Sequence, residues 1–175
     1  MNDLQSAMTV EEKKAASVEQ GVDILGLQGE HRWLSNFWPA KVILDEAIFP
    51  SIEHAFQAAK TDPSLRGPFM RCTAGEAKRL GRTVKMRADW EQVKVPIMRA
   101  LIIQKFAPGT ELGEKLKATG DGKIVEVNHW GDKFWGVCQG RGQNLLGQLL
   151  MERRTFLQAP EQSDSADLIE FPVSP

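Results

Sequence analysis

The sequence predicts one domain in which helices are mixed with a few short strands. Three observations lead there. The chain has 175 residues, enough to bury one real core. Its 42% hydrophobic and 26% charged residues are in the range of soluble globular proteins. The apolar residues also change period along the chain. Some form brief runs bounded by turn residues, and others form i, i+3/i+4 stripes opened by capping residues.

Residues 1–8 read as disordered, and Thr9-Val10-Glu11-Glu12 is a capping box that opens a short helix ending at Gly21. Residues 1–20 are therefore expected to be an extension, with the domain running over 21–158. Residues 22–27 alternate enough to be a strand. Arg32-Trp33-Leu34-Ser35-Asn36-Phe37-Trp38-Pro39 follows neither period. Residues 40–44 and 47–49 form a hairpin around Asp45-Glu46, which delivers the chain into a helix starting after Ser51. The Ser51 side chain is expected to cap the first-turn amides. Pro63 ends this helix, because the residue before a proline avoids the helical region. A short helix over 65–71 follows, then a second capping box, Thr73-Ala74-Gly75-Glu76, whose helix stops at Gly81.

Asp89-Trp90-Glu91 opens a longer helix with Val93, Ile97, Leu101 and Ile102 toward the core, and Pro96 is expected to break or kink it. Thr110 caps a helix over 111–118, and residues 123–127 form a strand. Asn144 is placed to cap the last helix, with Leu145, Leu149, Met151 and Phe156 on its apolar side. Residues 159–175 mix Pro, Ser, Asp and Glu as a disordered acidic tail does.

Composition excludes several classes of function. A formal net charge of -1 gives no global attraction to nucleic acid or an acidic membrane, although Lys and Arg outnumber acids between Lys60 and Lys105. No apolar run is long enough to span a bilayer, and the first residues lack the basic and apolar regions of a secretory signal. Two cysteines, Cys72 and Cys138, make no disulfide framework, so a reduced, cytoplasmic protein is expected. No Cys/His cluster has metal-ligand spacing.

The chemistry concentrates in Phe49-Pro50-Ser51-Ile52-Glu53-His54-Ala55-Phe56-Gln57-Ala58-Ala59-Lys60. Ile52, Phe56 and Ala59 form an apolar stripe, while Glu53, Gln57 and Lys60 form a polar one beside it. Alone, such a stripe reads as a solvated face. Other features argue for a site: the loop carrying Ser35, Asn36 and Phe37, a second loop carrying Trp130, Asp132 and Trp135, and Gly140-Arg141-Gly142-Gln143-Asn144 at a helix start. Aromatic rings stack on flat heterocycles and amides read their edges. A Gly-rich loop feeding a helix N-terminus suits an anion, though its spacing is neither Walker nor Rossmann.

Several of these stretches resemble one family. Leu34-Ser35-Asn36-Phe37, residues 50–60, Ala77-Lys78-Arg79-Leu80-Gly81-Arg82, Asp89-Trp90, Met98, Lys105-Phe106, Thr119-Gly120-Asp121, Asp132-Lys133-Phe134-Trp135-Gly136 and Gly142-Gln143-Asn144-Leu145-Leu146-Gly147 are, in this order, similar to NADAR domains. The family is named for its association with NAD and ADP-ribose and includes the YbiA-like N-glycosidases. The resemblance implies an α+β fold, a single mostly helical domain with a small β-sheet. It also implies cleavage of ribosyl C1–N bonds without a cofactor or metal. Expected substrates are phosphoribosylamino-pyrimidine intermediates of riboflavin biosynthesis, or ADP-ribosylated guanine in DNA or RNA. A non-catalytic module that binds ADP-ribose or NAD is the alternative. The chain departs from the family pattern at Asp45-Glu46, where Asp-Gly is common, and at Pro96, where a polar helix former is usual.

For such a reaction Glu53 is the first candidate to stabilise positive charge on the ribose or to move a proton, with Asp132 second. Lys60 stands on the Glu53 side of the helix, either to form a Schiff base with ring-opened ribose or to hold an ion pair or phosphate. Trp90, Trp130 and Trp135 are candidates to stack on the base. Ser35, Asn36, Phe37 and Asn144 are candidates to contact the ligand, and Arg82 with the Gly142 loop to hold phosphate. His54 leaves the helix at another angle and is expected to be structural.

Overall fold

The computed structural model describes residues 21–159, so the expected N-terminal helix and the residues from 160 onward lie outside the described residues. In chain order the elements are β1 (Ile24–Leu25), β2 (Val42–Leu44), β3 (Ala47–Phe49), α1 (Ile52–Ala58), α2 (Ala74–Leu80), α3 (Trp90–Lys105), α4 (Glu111–Lys117), β4 (Ile124–Val125), β5 (Val127–Asn128), β6 (Val137–Cys138) and α5 (Leu145–Gln158). Three 3-10 turns, Gly29–Leu34, Pro63–Leu65 and Gly67–Met70, fill the connections; the last stands where a short helix was expected. This is the α+β, mostly helical architecture. Among the described residues no helix is long and apolar enough to cross a membrane.

Among the described residues the β content comes as three two-stranded pairs rather than one sheet. β2 and β3 form the expected hairpin, with Val42 opposite Phe49 and Leu44 opposite Ala47. Its turn residues Asp45 and Glu46 both take positive φ (46° and 68°), as a two-residue turn matched to strand twist requires. The buried Arg66 pairs with Asp45 and ties that turn to the chain after α1. β1 runs parallel to β4 and β5 parallel to β6. The strand expected over 123–127 is thus split at Glu126, and each half has its own partner.

α1 is the centre of the molecule. It packs on α2, α3 and the hairpin, and all seven of its residues are buried, polar ones included. The core around it contains Phe49, Ile52, Phe69, Met98, Leu101 and Phe106, none more than 1% exposed. Both expected mid-chain caps are present. Thr73 and Glu76 form a reciprocal capping box, and Thr110 accepts from the Gly113 amide at 3.1 Å. Ser51 departs from expectation. Its hydroxyl donates to His54 Nδ1 at 2.7 Å, while His54 Nε2 donates to the Cys72 carbonyl at 2.9 Å. The histidine therefore serves as a structural brace.

Two further expectations are corrected. α3 runs continuously from Trp90 to Lys105 with Pro96 inside it. Gln92, whose carbonyl loses its helical donor at Pro96, lies on the exposed side with Pro96 itself, so water can satisfy that carbonyl. In α5 the buried face is Leu146, Leu149, Leu150, Arg153, Arg154 and Leu157, while Phe156 is 63% exposed. The arginines hold that rotation. Arg153 donates to the Phe106 carbonyl (2.9 Å) and Arg154 to the Gly122 carbonyl (2.7 Å).

Because Pro96 occupies an exposed helix interior without breaking it, Pro96→Ala should raise stability by about 1–3 kcal/mol in urea unfolding. An equal loss of stability would contradict this reading of α3.

Candidate active site

A cavity of about 360 Å³ opens where α1 meets the loop before β2 and the segment that runs from β4 to β6. α1 lines it with Glu53, Phe56, Gln57 and Lys60. The first loop contributes Ser35, Asn36 and Phe37, and the far segment contributes Glu126, Trp130, Asp132 and Trp135. Lys78 of α2 lines it too, with Met98 and Leu146 as apolar lining.

The walls are tied together through the backbone. The Glu53 amide, at the start of α1, donates to the Asn36 carbonyl at 2.9 Å. The buried Lys105 ammonium donates to the Ser35 carbonyl at 2.7 Å, which anchors the same loop to α3. Asn36 Nδ2 contacts Met98 Sδ, and its Oδ1 has no protein donor among the described residues, so it retains an acceptor for a bound group. On the far side, Asp132 Oδ1 accepts from the amides of Phe134 (3.0 Å) and Trp135 (2.9 Å), which folds the loop and sets both rings. Trp135 meets Phe56 edge to face at 5.4 Å.

Glu53 is buried and accepts from Gln57 Nε2 at 2.9 Å. Burial pushes its carboxyl above the usual carboxylate range. The Gln57 bond and the charges of Lys78, Lys60 and Arg82 oppose that shift. Lys60 is moved the other way. Burial holds its ammonium below the usual lysine value, Glu53 opposes this, and Arg82 and Lys78 add to it. The helical stripe thus presents a carboxyl and an amine, each displaced toward neutrality, to one cavity.

Four expected ligand contacts lie elsewhere. Trp90 is buried in the core, 5.0 Å from the Phe56 ring and 5.8 Å below the Lys60 ammonium, so it packs behind the site. Asn144 caps no amide with its side chain. Its Oδ1 accepts from the Glu126 amide and its Nδ2 donates to the Ile124 carbonyl, both at 2.9 Å. Gly142 stacks on the Gly136 backbone, where a Cβ would sit 2.1 Å from the Gly136 carbonyl oxygen. Arg82 is exposed and does not line the cavity, although its charge reaches Glu53 and Lys60.

A family model described as the NADAR domain matches residues 26–158. The chain belongs to the NADAR family. It is 41% identical over 130 residues to N-glycosidase YbiA of Escherichia coli strain K12, covering 70% of this chain and 79% of that protein. It is 36% identical over 146 residues to a riboflavin biosynthesis protein of Vibrio vulnificus, covering 81% of this chain but only 40% of that longer protein. An N-glycosidase of Nostoc punctiforme is 36% identical over 128 residues, with 69% of this chain and 81% of that one covered. The NMR structure of Escherichia coli YbiA superposes with a TM-score of 0.68 at 35% identity, over 80% of this chain and 87% of that one.

Two residues of this NADAR cavity escape sequence reasoning. Lys78 sits over the rings of both Phe37 (5.4 Å) and Trp130 (4.9 Å) at the cavity's more exposed side. On a short helix it reads as an ordinary surface lysine. Glu126 reads as the outward residue of a strand, and its only signal is a lone carboxylate among Ile124, Val125 and Val127.

Because the Gln57 amide supports the ionised form of Glu53, Gln57→Leu should move the Glu53 carboxyl titration to higher pH, followed by carbon-13 NMR. An unchanged or lower titration would show that this bond does not govern the group.

Proposed function

We propose that this chain is a hydrolase of N-glycosyl compounds that cleaves the bond between ribose C1 and the nitrogen of a heterocycle. The substrate class is a phosphoribosylamino-pyrimidine. The observation that carries the reading is the pairing of Glu53 and Lys60, displaced in opposite directions by burial, in one cavity walled by Phe37, Trp130 and Trp135. The names of the relatives, N-glycosidase and riboflavin biosynthesis protein, support the same reaction and substrate class. So does size. A cavity of about 360 Å³ lies at the small end of ligand sites, roughly 300–1,000 Å³, which favours a single phosphoribosyl unit over an ADP-ribosylated polynucleotide. Both cysteines are free, which suits a cytoplasmic setting.

In this reading Lys60, whose ammonium burial holds below the usual lysine value, adds as the free amine to C1 of the ring-opened ribose and forms a Schiff base once the heterocyclic amine has left. Water then releases the sugar as its aldehyde. The Glu53 carboxylate stands beside the cation formed at C1 and lowers its energy. Phe37, Trp130 and Trp135 offer faces for the heterocycle, and Lys78, with the Arg82 charge nearby, attracts phosphate.

Incubation with a phosphoribosylamino-pyrimidine and, in parallel, an oligonucleotide carrying ADP-ribosylated guanine should release a base from the former, identified by mass spectrometry. Release only from the oligonucleotide would move the substrate to ADP-ribosylated nucleic acid. Calorimetric binding of ADP-ribose with no base released from either would make the protein a binding module. Glu53→Gln should lower kcat by about 10²–10⁴-fold with the urea midpoint retained, and unchanged turnover would remove Glu53 from the chemistry. Borohydride added during turnover should trap a sugar adduct that Lys60→Ala abolishes. An adduct that persists in that variant would place the Schiff base elsewhere.

A further inference from the structure

We propose that Glu126 is the proton donor to the leaving nitrogen, while Glu53 faces the charge formed at C1. This rests on the N-glycosidase reading and divides its acid and charge-stabilising roles between two residues. Glu126 lines the same cavity as Glu53 and Lys60, from the junction of β4 and β5. Its side chain makes no hydrogen bond among the described residues, although the groups around it are closely paired.

The backbone of Glu126 is fixed from two directions. Its amide donates to Asn144 Oδ1 at 2.9 Å, and its carbonyl accepts from the Val137 amide at 2.8 Å. Gly136 leaves room for the side chain, since a Cβ there would lie 2.9 Å from Glu126 Cγ and 2.3 Å from its carbonyl oxygen. An unpartnered carboxyl on an immobilised stem, aimed at a reaction cavity, is how a proton-transfer group is held.

The two glutamates differ in their charged neighbours. Burial favours the protonated form of both. Glu53 also has a Gln57 donor and the charges of Lys78, Lys60 and Arg82, all of which favour its ionised form. Glu126 has the like charge of Asp132, which favours its protonated form, opposed only by Lys78, and its carboxyl is pushed up to about 7. A carboxyl met by a donor and cations and a carboxyl met by a carboxylate have the contrasting neighbours that suit charge-stabilising and acid roles in one site. The Lys60 amine has added across the C1=N bond of the ring-opened sugar, and its proton has passed to that nitrogen, leaving a C1–N single bond. The C1–N bond to the heterocycle breaks, its electron pair stays with nitrogen, and that nitrogen takes the Glu126 proton. Water then hydrolyses the Lys60 Schiff base to the aldehyde, and the proton released returns to Glu126.

The test compares kcat–pH profiles and leaving groups. A donor must be protonated, so wild-type kcat should fall as pH rises through about 7. Glu126→Gln should lose that alkaline limb and about 10²-fold in kcat, while a substrate whose leaving amine is strongly electron-poor, and needs no protonation, should be restored to within about tenfold of wild type. Glu53→Gln should show no such rescue. Asp132→Asn keeps an oxygen for the Phe134 and Trp135 amides but removes the like charge, so it should shift the alkaline limb to lower pH. An alkaline limb that persists in Glu126→Gln, a rescue that fails, or an unshifted limb in Asp132→Asn overturns the assignment while the wild-type protein still turns over. A wild-type protein that releases no amine overturns the N-glycosidase reading itself, and the assignment with it.

Discussion

A carboxylate inside a fully buried helix is the constraint on which the rest of this structure depends. Removing a charged group from water is costly unless donors or opposite charges meet it. Glu53 has both: the Gln57 amide one helical turn on, and the Lys60, Lys78 and Arg82 charges around it. Around that one group α1, the end of α2 and the loop before β2 meet. The Asn36 carbonyl accepts the Glu53 amide, so the loop that presents Ser35, Asn36 and Phe37 is placed by the helix that presents Glu53.

The far wall is built by a different device. Here a strand is interrupted rather than a helix buried. Glu126 separates β4 from β5, and Asn144 bridges the interruption by bonding on both sides of Val125. Asp132 folds the next loop with its own carboxylate, and the Gly136 and Gly142 backbones pack closely enough to leave no space for a side chain. Residues that resemble ligand contacts in the sequence therefore act one layer back. Trp90 and Asn144 support Phe56, Lys60 and Glu126, which line the cavity.

Much of this was legible in the sequence, and the failures share a physical cause. Local rules found what local chemistry decides: the hairpin around Asp45 and Glu46, the Thr73 and Thr110 caps, and the helix carrying Glu53. They failed where long-range partners override local preference. Arg153 and Arg154 look like surface residues, yet carbonyls of Phe106 and Gly122 hold them inside and rotate α5. Pro96 looks like a break, but it falls where water can replace the lost donor. Glu126 looks like the outward residue of a strand, because only the paired chain segments reveal that its side faces a cavity. The Glu53, Gln57 and Lys60 stripe looks solvent-facing for the same reason.

A structure of the Glu53→Gln variant with an uncleaved phosphoribosylamino-pyrimidine bound tests this arrangement of residues most directly. Ribose C1 should lie beside residue 53 and Lys60, the leaving nitrogen toward Glu126, and the heterocycle against the Phe37, Trp130 and Trp135 wall. A ligand seated instead in the cleft beside Asp45, Thr61 and Arg66 would contradict it.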